Sequence, residues 1–161
     1  MHVGPVILNN TPLVALWAIG RLGLLRDLFA QVLIPQAVRD EFLAVDSEMR
    51  SEALSAAPWV RTGPLSDPRR ALPYAGLDQG EAEVLALAEE LPASLLVIDE
   101  RRARRYAKRL GLPLTGTLGL LLLAKERGLI GSFVEEVDKL KEAGLYLSPA
   151  LVARAREIAG E

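Results

Sequence analysis

The stretch SLLVIDERRARR, residues 94–105, carries the pattern that decides the fold. Its first part, residues 94–98, is predicted to be a strand, and residues 95–98 are apolar without alternation, which is typical of a strand buried on both faces of a parallel sheet. Asp99 follows that strand directly, and a strongly basic helix is predicted over residues 101–110. Because the carboxyl ends of parallel strands face the ligand-binding crevice, Asp99 is a candidate functional residue.

Short apolar strands alternate with helices along the rest of the chain. Four more strands are predicted, at residues 3–8, 31–34, 59–62 and 112–114. Helices are predicted at residues 11–20, 22–29, 35–44, 47–57, 78–91 and 117–127, with two more after Ser132 and Ser148. Thr11 is the expected N-cap of the first helix, and residues 63–77 form one long loop. The pattern predicts one domain over residues 1–161, an α/β three-layer sandwich with a mainly parallel sheet.

The composition excludes several classes of function. The chain has 161 residues and no cysteine, so disulfides, thiolate metal sites and a cysteine nucleophile are excluded. Its only histidine is His2, which leaves no plausible candidate for a histidine-based triad. The formal net charge of -2 means that nucleic acid would have to bind a local basic patch. No targeting segment is visible and the longest apolar run is too short to span a bilayer, so no membrane association and a cytoplasmic location are expected.

Oxygen-bearing side chains stand at several predicted element ends. Asn9 and Asp99 each follow an apolar strand, Glu81 opens a helix, and Glu41 lies in the helix after the second strand. Carboxylates gathered in one crevice repel each other unless a cation is bound there, and Mg²⁺ suits oxygen ligands. Structural alternatives remain open: Asp78 and Glu81 match a capping box, Asp99 fits an N-cap, and Glu41 fits a solvated helix face.

The predicted helix after Asp99 carries the densest run of positive charge. Arg101, Arg102 and Arg105 are candidates for phosphate contact, because they lie close after the candidate acid. The alternative is a solvated helix face that pairs with Glu100 and other acids. Dinucleotide-binding, P-loop and zinc-protease motifs do not occur in the sequence.

These segments together resemble the PIN-domain proteins, and most of all a prokaryotic branch regarded as PIN-like and nucleic-acid-binding. The resemblance covers nearly the whole chain and rests on NNTPLVAL (9–16), LDQGEAE (77–83), VIDERRAR (97–104) and LTGTLG (114–119). It implies a metal-dependent endoribonuclease fold acting on single-stranded RNA, often the toxin that an antitoxin protein restrains. It also implies that Asn9, Glu41, Glu81 and Asp99 would hold Mg²⁺ or Mn²⁺, with Asn9 in place of the usual aspartate. Thr11 or Thr117 would position water or phosphate.

Two other functions and an oligomeric state remain open from the sequence. A catalytically silent PIN-like module that binds RNA or a protein partner is favoured by Asn9, which brings an oxygen but no charge. A phosphoacceptor signalling domain is disfavoured, because Asn9 and Asn10 stand where it needs acids and no lysine follows the last strand. Leucine-rich segments at residues 22–25 and near the C-terminus predict a homodimer, unless these helices simply cover the sheet.

Overall fold

The computed structural model describes residues 4–161, and within them helices flank a five-stranded sheet. The strands are Val6–Leu8 (β1), Val32–Ile34 (β2), Val60–Thr62 (β3), Leu95–Val97 (β4) and Leu114–Thr115 (β5). The α-helices are Asn10–Ala18 (α1), Gly23–Phe29 (α2), Gln36–Leu43 (α3), Ser47–Ser55 (α4), Gln79–Glu90 (α5), Arg101–Arg109 (α6), Thr117–Glu126 (α7), Phe133–Glu142 (α8) and Pro149–Ile158 (α9). A 3-10 helix spans Pro68–Tyr74.

The strand order is β3-β2-β1-β4-β5, and all four strand pairings are parallel. The predicted three-layer α/β sandwich with a mainly parallel sheet is therefore confirmed. The chain first builds the sheet outward from β1 to β3 and then continues on the other side of β1 with β4. Such a reversal opens a crevice at the carboxyl ends of the two strands that flank it, which here are β1 and β4.

The core forms because the central strands contain only large aliphatic side chains. All three residues of β1 are buried, and so are Leu96 and Val97 of β4. Residues 84–88 of helix α5 are all buried, so this part of the helix is enclosed on every side, by β1 and by α3 and α6 among others. The pairing of Leu8 with Val97 fixes the register of β1 and β4, so the residues after both strands emerge at one edge.

Several element boundaries differ from the prediction. Helix α1 begins at Asn10, with Asn9 in the N-cap position, so the expectation that Thr11 caps this helix is wrong. Asn9 is still extended, and Pro12 is tolerated in the first helical turn because its missing amide would have no partner there. Strand β5 starts two residues later than predicted, at Leu114. Val3, in the first predicted strand, lies outside the described residues.

The predicted loop over residues 63–77 contains the 3-10 helix Pro68–Tyr74. Its first turn is capped by Asp67, whose carboxylate accepts from the Arg69 amide at 3.0 Å. At its end the buried Tyr74 donates a hydrogen bond to Glu89 and meets the Tyr106 ring edge-on, with ring centroids 5.8 Å apart. These contacts fasten the segment to α5 and α6.

Candidate active site at the carboxyl edge of the sheet

Asn9 lies directly after β1, the central strand of the sheet. Its backbone amide donates to the Val97 carbonyl at 3.0 Å, which ties the residue to β4. The side chain is 4 % exposed, and its Oδ1 atom has no hydrogen-bond partner. A buried oxygen left without a partner costs about 1–3 kcal/mol, so its presence calls for a compensating role. Binding a cation is one such role, and amide oxygens are suitable ligands.

Glu81 has the helix-capping contacts that the sequence allowed as an alternative. The Asp78 carboxylate accepts from the Glu81 amide at 2.8 Å, and Glu81 Oε1 accepts from the Asp78 amide at 3.2 Å. This capping box fixes the first turn of α5. Glu81 is nevertheless 7 % exposed, and a carboxylate that only capped a helix could remain in solvent. Its burial beside other acids is therefore more than the capping contacts require.

Glu41 reaches the same helix start from α3. Although the residue is exposed, its Oε2 atom lies only 2.9 Å from the position that a Cβ atom on Gly80 would occupy. A side chain at position 80 would therefore push this carboxylate away. Glu41 also accepts a hydrogen bond from the Asn10 side chain, which joins α3 to the end of β1.

The acids at this edge repel each other. Partial burial raises the pKa of Glu41, and the negative charges of Asp78 and Glu100 raise it further. The pKa of Glu81 is also raised, chiefly by burial. The charges of Asp78, Glu100 and Glu41 add to that effect on Glu81, and the hydrogen bond from the Asp78 amide opposes it. The Glu41 and Glu81 carboxylates are therefore close enough to interact, and Asp78 and Glu100 extend the acidic cluster beyond the predicted set.

Replacing Glu41 by glutamine is expected to stabilise the protein at pH 7. The pKa of Glu41 is raised above 4.5 in the folded state, so the wild type loses stability as the pH rises through that folded pKa. Glutamine keeps an acceptor for Asn10 and removes the charge, and a gain of about 0.5 kcal/mol is expected for this exposed group. Thermal unfolding from pH 3.5 to 8 measures it.

The gain from Glu41→Gln should disappear below about pH 4.5, where the wild-type carboxyl is itself protonated. Glu52→Gln is the matched control, because Glu52 is an exposed glutamate of α4 that joins no ion pair within residues 4–161. A loss of stability at pH 7, or a gain that is independent of pH, would show that the acids do not repel each other.

Asp99 uses both carboxylate oxygens to hold the start of α7. Oδ1 accepts from the Thr117 amide at 2.8 Å, and Oδ2 accepts from the Thr117 hydroxyl at 2.5 Å. The predicted alternative, that Asp99 caps the helix after it, is not observed, because Glu100 is the N-cap residue of α6. Gly116 permits the contact: a Cβ atom there would lie 2.5 Å from Asp99 Oδ1.

The arginines predicted to bind nucleic acid are exposed on α6. Arg101, Arg102 and Arg105 take part in none of the side-chain hydrogen bonds or ion pairs within residues 4–161. The alternative of pairing with Glu100 is therefore not observed. Two of these cations lie in the first turn of a helix, where the backbone dipole disfavours positive charge. The exposure of these arginines fits the alternative of a solvated helix face, and it also leaves them accessible to a phosphate, so phosphate contact stays a prediction.

The remaining predicted side chains have mixed positions. Thr11 is half-buried inside α1, whereas Thr117 is 2 % exposed and bound to Asp99. Glu83, which is half-buried, accepts from the Ala37 amide at 3.1 Å and so caps α3. Within residues 4–161 no three acidic or histidine side chains are arranged to hold one metal ion. The convergence of Asn9, Glu41, Glu81 and Asp99 on a single ion stays a prediction.

Sequence reasoning missed residues whose importance depends on distances in space. Gly80 and Gly116 make room for Glu41 and Asp99, and no local pattern marks them out from other glycines. Asn10, next to Asn9, was considered only as part of the motif at residues 9–16 and not as a hydrogen-bond donor to Glu41. Glu100 was considered only as an ion-pair partner for the basic helix. Arg104, whose NH1 donates to the Ile98 carbonyl at 2.6 Å, was grouped with the surface arginines.

Comparison with known proteins supports the resemblance found in the sequence. The DUF3368 family model, described as a PIN domain, matches residues 5–161. The chain therefore belongs to this PIN-domain family, a nuclease-type class associated with nucleic-acid binding. A search of curated proteins found no match. In the described part of the chain, no helix has the length and apolar character needed to cross a membrane.

Proposed function

We propose that this chain is a metal-dependent endoribonuclease of the PIN type that cleaves single-stranded RNA. Two observations support the proposal: the buried Oδ1 atom of Asn9 has no partner at the reversal of the sheet, and the Glu41 and Glu81 carboxylates repel each other. PIN domains generally depend on divalent metal ions. An oxygen-only donor set in an acidic crevice suits Mg²⁺ or Mn²⁺.

Asn9, Glu41, Glu81 and Asp99 are the residues that would hold the ion. When bound, a divalent ion activates a water for attack on phosphorus and neutralises charge on the scissile phosphate. Glu41 and Glu81 supply negative charge for the ion, and Asn10 orients Glu41 through its hydrogen bond. Thr117 holds Asp99 in one rotamer by two hydrogen bonds. Arg101, Arg102 and Arg105 would hold the flanking phosphates, without reading the base sequence.

The second candidate function is a catalytically silent module that binds RNA or a protein. Asn9 favours it, because an amide contributes no negative charge and a hard-ion site with fewer charges binds its ion less tightly. In either case the partners we propose are RNA and an antitoxin protein, within a toxin–antitoxin pair in the cytoplasm. A homodimer is also proposed, through exposed apolar residues Leu151 and Ile158 of α9. Leu24 and Leu25, of the other leucine-rich segment, are buried in the core.

Asn9→Asp is expected to increase metal-dependent cleavage. A carboxylate at position 9 keeps the ligand oxygen and adds a charge, so metal affinity and cleavage rate should both rise, by about tenfold or more. The assay is labelled single-stranded RNA with purified protein, in Mn²⁺, in Mg²⁺ and in chelator. The wild type should cleave slowly, with Mn²⁺ more effective than Mg²⁺.

Asn10→Asp is the matched comparison, because it adds the same charge one residue along the chain. It also removes the amide donor to Glu41, so it should not reproduce the gain. If wild type and Asn9→Asp both leave RNA intact while retarding it in a gel, the binding module is the correct function. If neither variant binds RNA or metal, the proposal of nuclease or RNA-binding activity is wrong.

A further inference from the structure

Arg104 differs from the other arginines of α6 because its side chain turns back toward the sheet. It is half-buried, and its NH1 atom donates to the Ile98 carbonyl at 2.6 Å, just beyond the end of β4. The guanidinium is thus fixed at the carboxyl edge of the sheet, at the residue that immediately precedes Asp99. A guanidinium has five N–H donors, and this contact uses one of them.

The side chains of Arg104 and Asp99 both approach Gly116 on the side where a Cβ atom would stand. A Cβ atom on Gly116 would lie 2.5 Å from Asp99 Oδ1 and 3.2 Å from Arg104 NH1. The two side chains therefore border one space that is too small for a methyl group. No ion pair joins them in the part of the chain that the structure describes. A cationic donor and a candidate metal ligand thus line one corner of the crevice without neutralising each other.

We propose that Arg104 is a catalytic residue that binds a non-bridging oxygen of the scissile RNA phosphate. The inference rests on the proposed ribonuclease function and assigns a role to a residue outside the predicted metal and phosphate sets. A phosphate bound at the acids of this crevice would accept from the N–H groups of Arg104 that are left over after the contact with Ile98. Arginine forms bidentate contacts with phosphate oxygens that lysine cannot form.

The structural alternative is that Arg104 only donates a hydrogen bond to the Ile98 carbonyl, which would otherwise lack a side-chain donor at the end of β4. Arg104→Lys separates the two roles, because a lysine ammonium keeps the charge and can still donate to Ile98 but lacks the planar fork. Arg109→Gln is the charge control, since Arg109 lies at the far end of α6 over the Tyr106 ring. Thermal unfolding of both variants should stay near the wild-type midpoint.

Cleavage kinetics then test the assignment. We expect Arg104→Lys to lower kcat at least about tenfold, because a donor to the reacting phosphate is lost, with KM changed much less. Arg109→Gln should cleave like the wild type. A wild-type kcat for Arg104→Lys would overturn the inference.

Binding of a labelled single-stranded RNA in chelator tests the inference separately from hydrolysis. Arg104→Lys should bind at least about fivefold more weakly than Arg109→Gln, although Arg109→Gln has lost a charge and Arg104→Lys has not. If the wild type proves unable to cleave, the proposed nuclease fails, and this affinity ratio alone decides the role of Arg104. Equal affinities would then overturn it.

Discussion

Gly116→Ala is expected to be among the most damaging single-methyl additions in this protein. The new Cβ atom would lie 2.5 Å from Asp99 Oδ1, and Asp99 cannot move aside without breaking its hydrogen bonds to Thr117. The backbone at position 116 is extended, so the cost is steric and not conformational. Overpacking of this kind costs about 1–3 kcal/mol, and the displaced Asp99 should reduce RNA cleavage at least about tenfold.

Gly131→Ala is the control for this substitution. A Cβ atom on Gly131 would meet nothing within 4 Å, and its backbone is not in the left-handed region. Its stability should change by less than about 0.5 kcal/mol. Chemical denaturation and the RNA assay measure both variants. If Gly116→Ala has the same stability and cleavage rate as Gly131→Ala, the close approach of Asp99 to position 116 affects neither folding nor cleavage, and this prediction is wrong.

Asp99→Asn is expected to abolish cleavage while leaving the fold almost unchanged. Asparagine retains an acceptor for the Thr117 amide and gains a donor to the Thr117 hydroxyl, so both contacts that hold α7 can persist. The charge, however, is lost from a site that already has an amide at Asn9. We expect a stability change below about 1 kcal/mol and a loss of activity of at least about 100-fold.

This separation of effects decides between the capping and the catalytic role of Asp99. Asp138→Asn removes the same charge from an exposed position on α8 and should change neither quantity. If Asp99→Asn lowers stability strongly but leaves the rate per folded molecule unchanged, Asp99 is a structural residue only. Cleavage rates are therefore normalised to the folded fraction from near-ultraviolet circular dichroism.

The fold could be predicted because its signals are local. Apolar runs such as residues 94–98 have the composition of buried parallel strands, and the turns between elements carry recognisable helix starts. Boundaries were less accurate where one residue serves two elements. Asn9 is the single residue between β1 and α1 and is the N-cap of α1, so the Thr11-Pro12 pattern placed the helix start too late. The 3-10 helix was missed because prolines in residues 63–77 resemble those of an irregular loop.

The candidate site could be predicted only as a set of residues, not as a geometry. Asn9 and Asp99 were found because each follows a strand, and strand order in a parallel sheet places both at one edge. The contacts of Asp99 with Thr117 join residues 18 positions apart and depend on how α7 returns to the sheet. The clearance at Gly80 and Gly116 likewise depends on the approach of α3 and α6. Such distances leave no mark in the local sequence.

The most direct test of the metal site is anomalous scattering from a crystal soaked in Mn²⁺. We expect a peak with Asn9 Oδ1 and carboxylate oxygens of Glu41, Glu81 and Asp99 at about 2.0–2.6 Å from the ion. Each Asp99 oxygen accepts one hydrogen bond from Thr117 and has a further lone pair, so Asp99 can bind the ion while it keeps these contacts. The proposed metal site is contradicted if no peak appears at saturating Mn²⁺. It is also contradicted if other residues bind the ion and these four side chains lie more than about 10 Å apart.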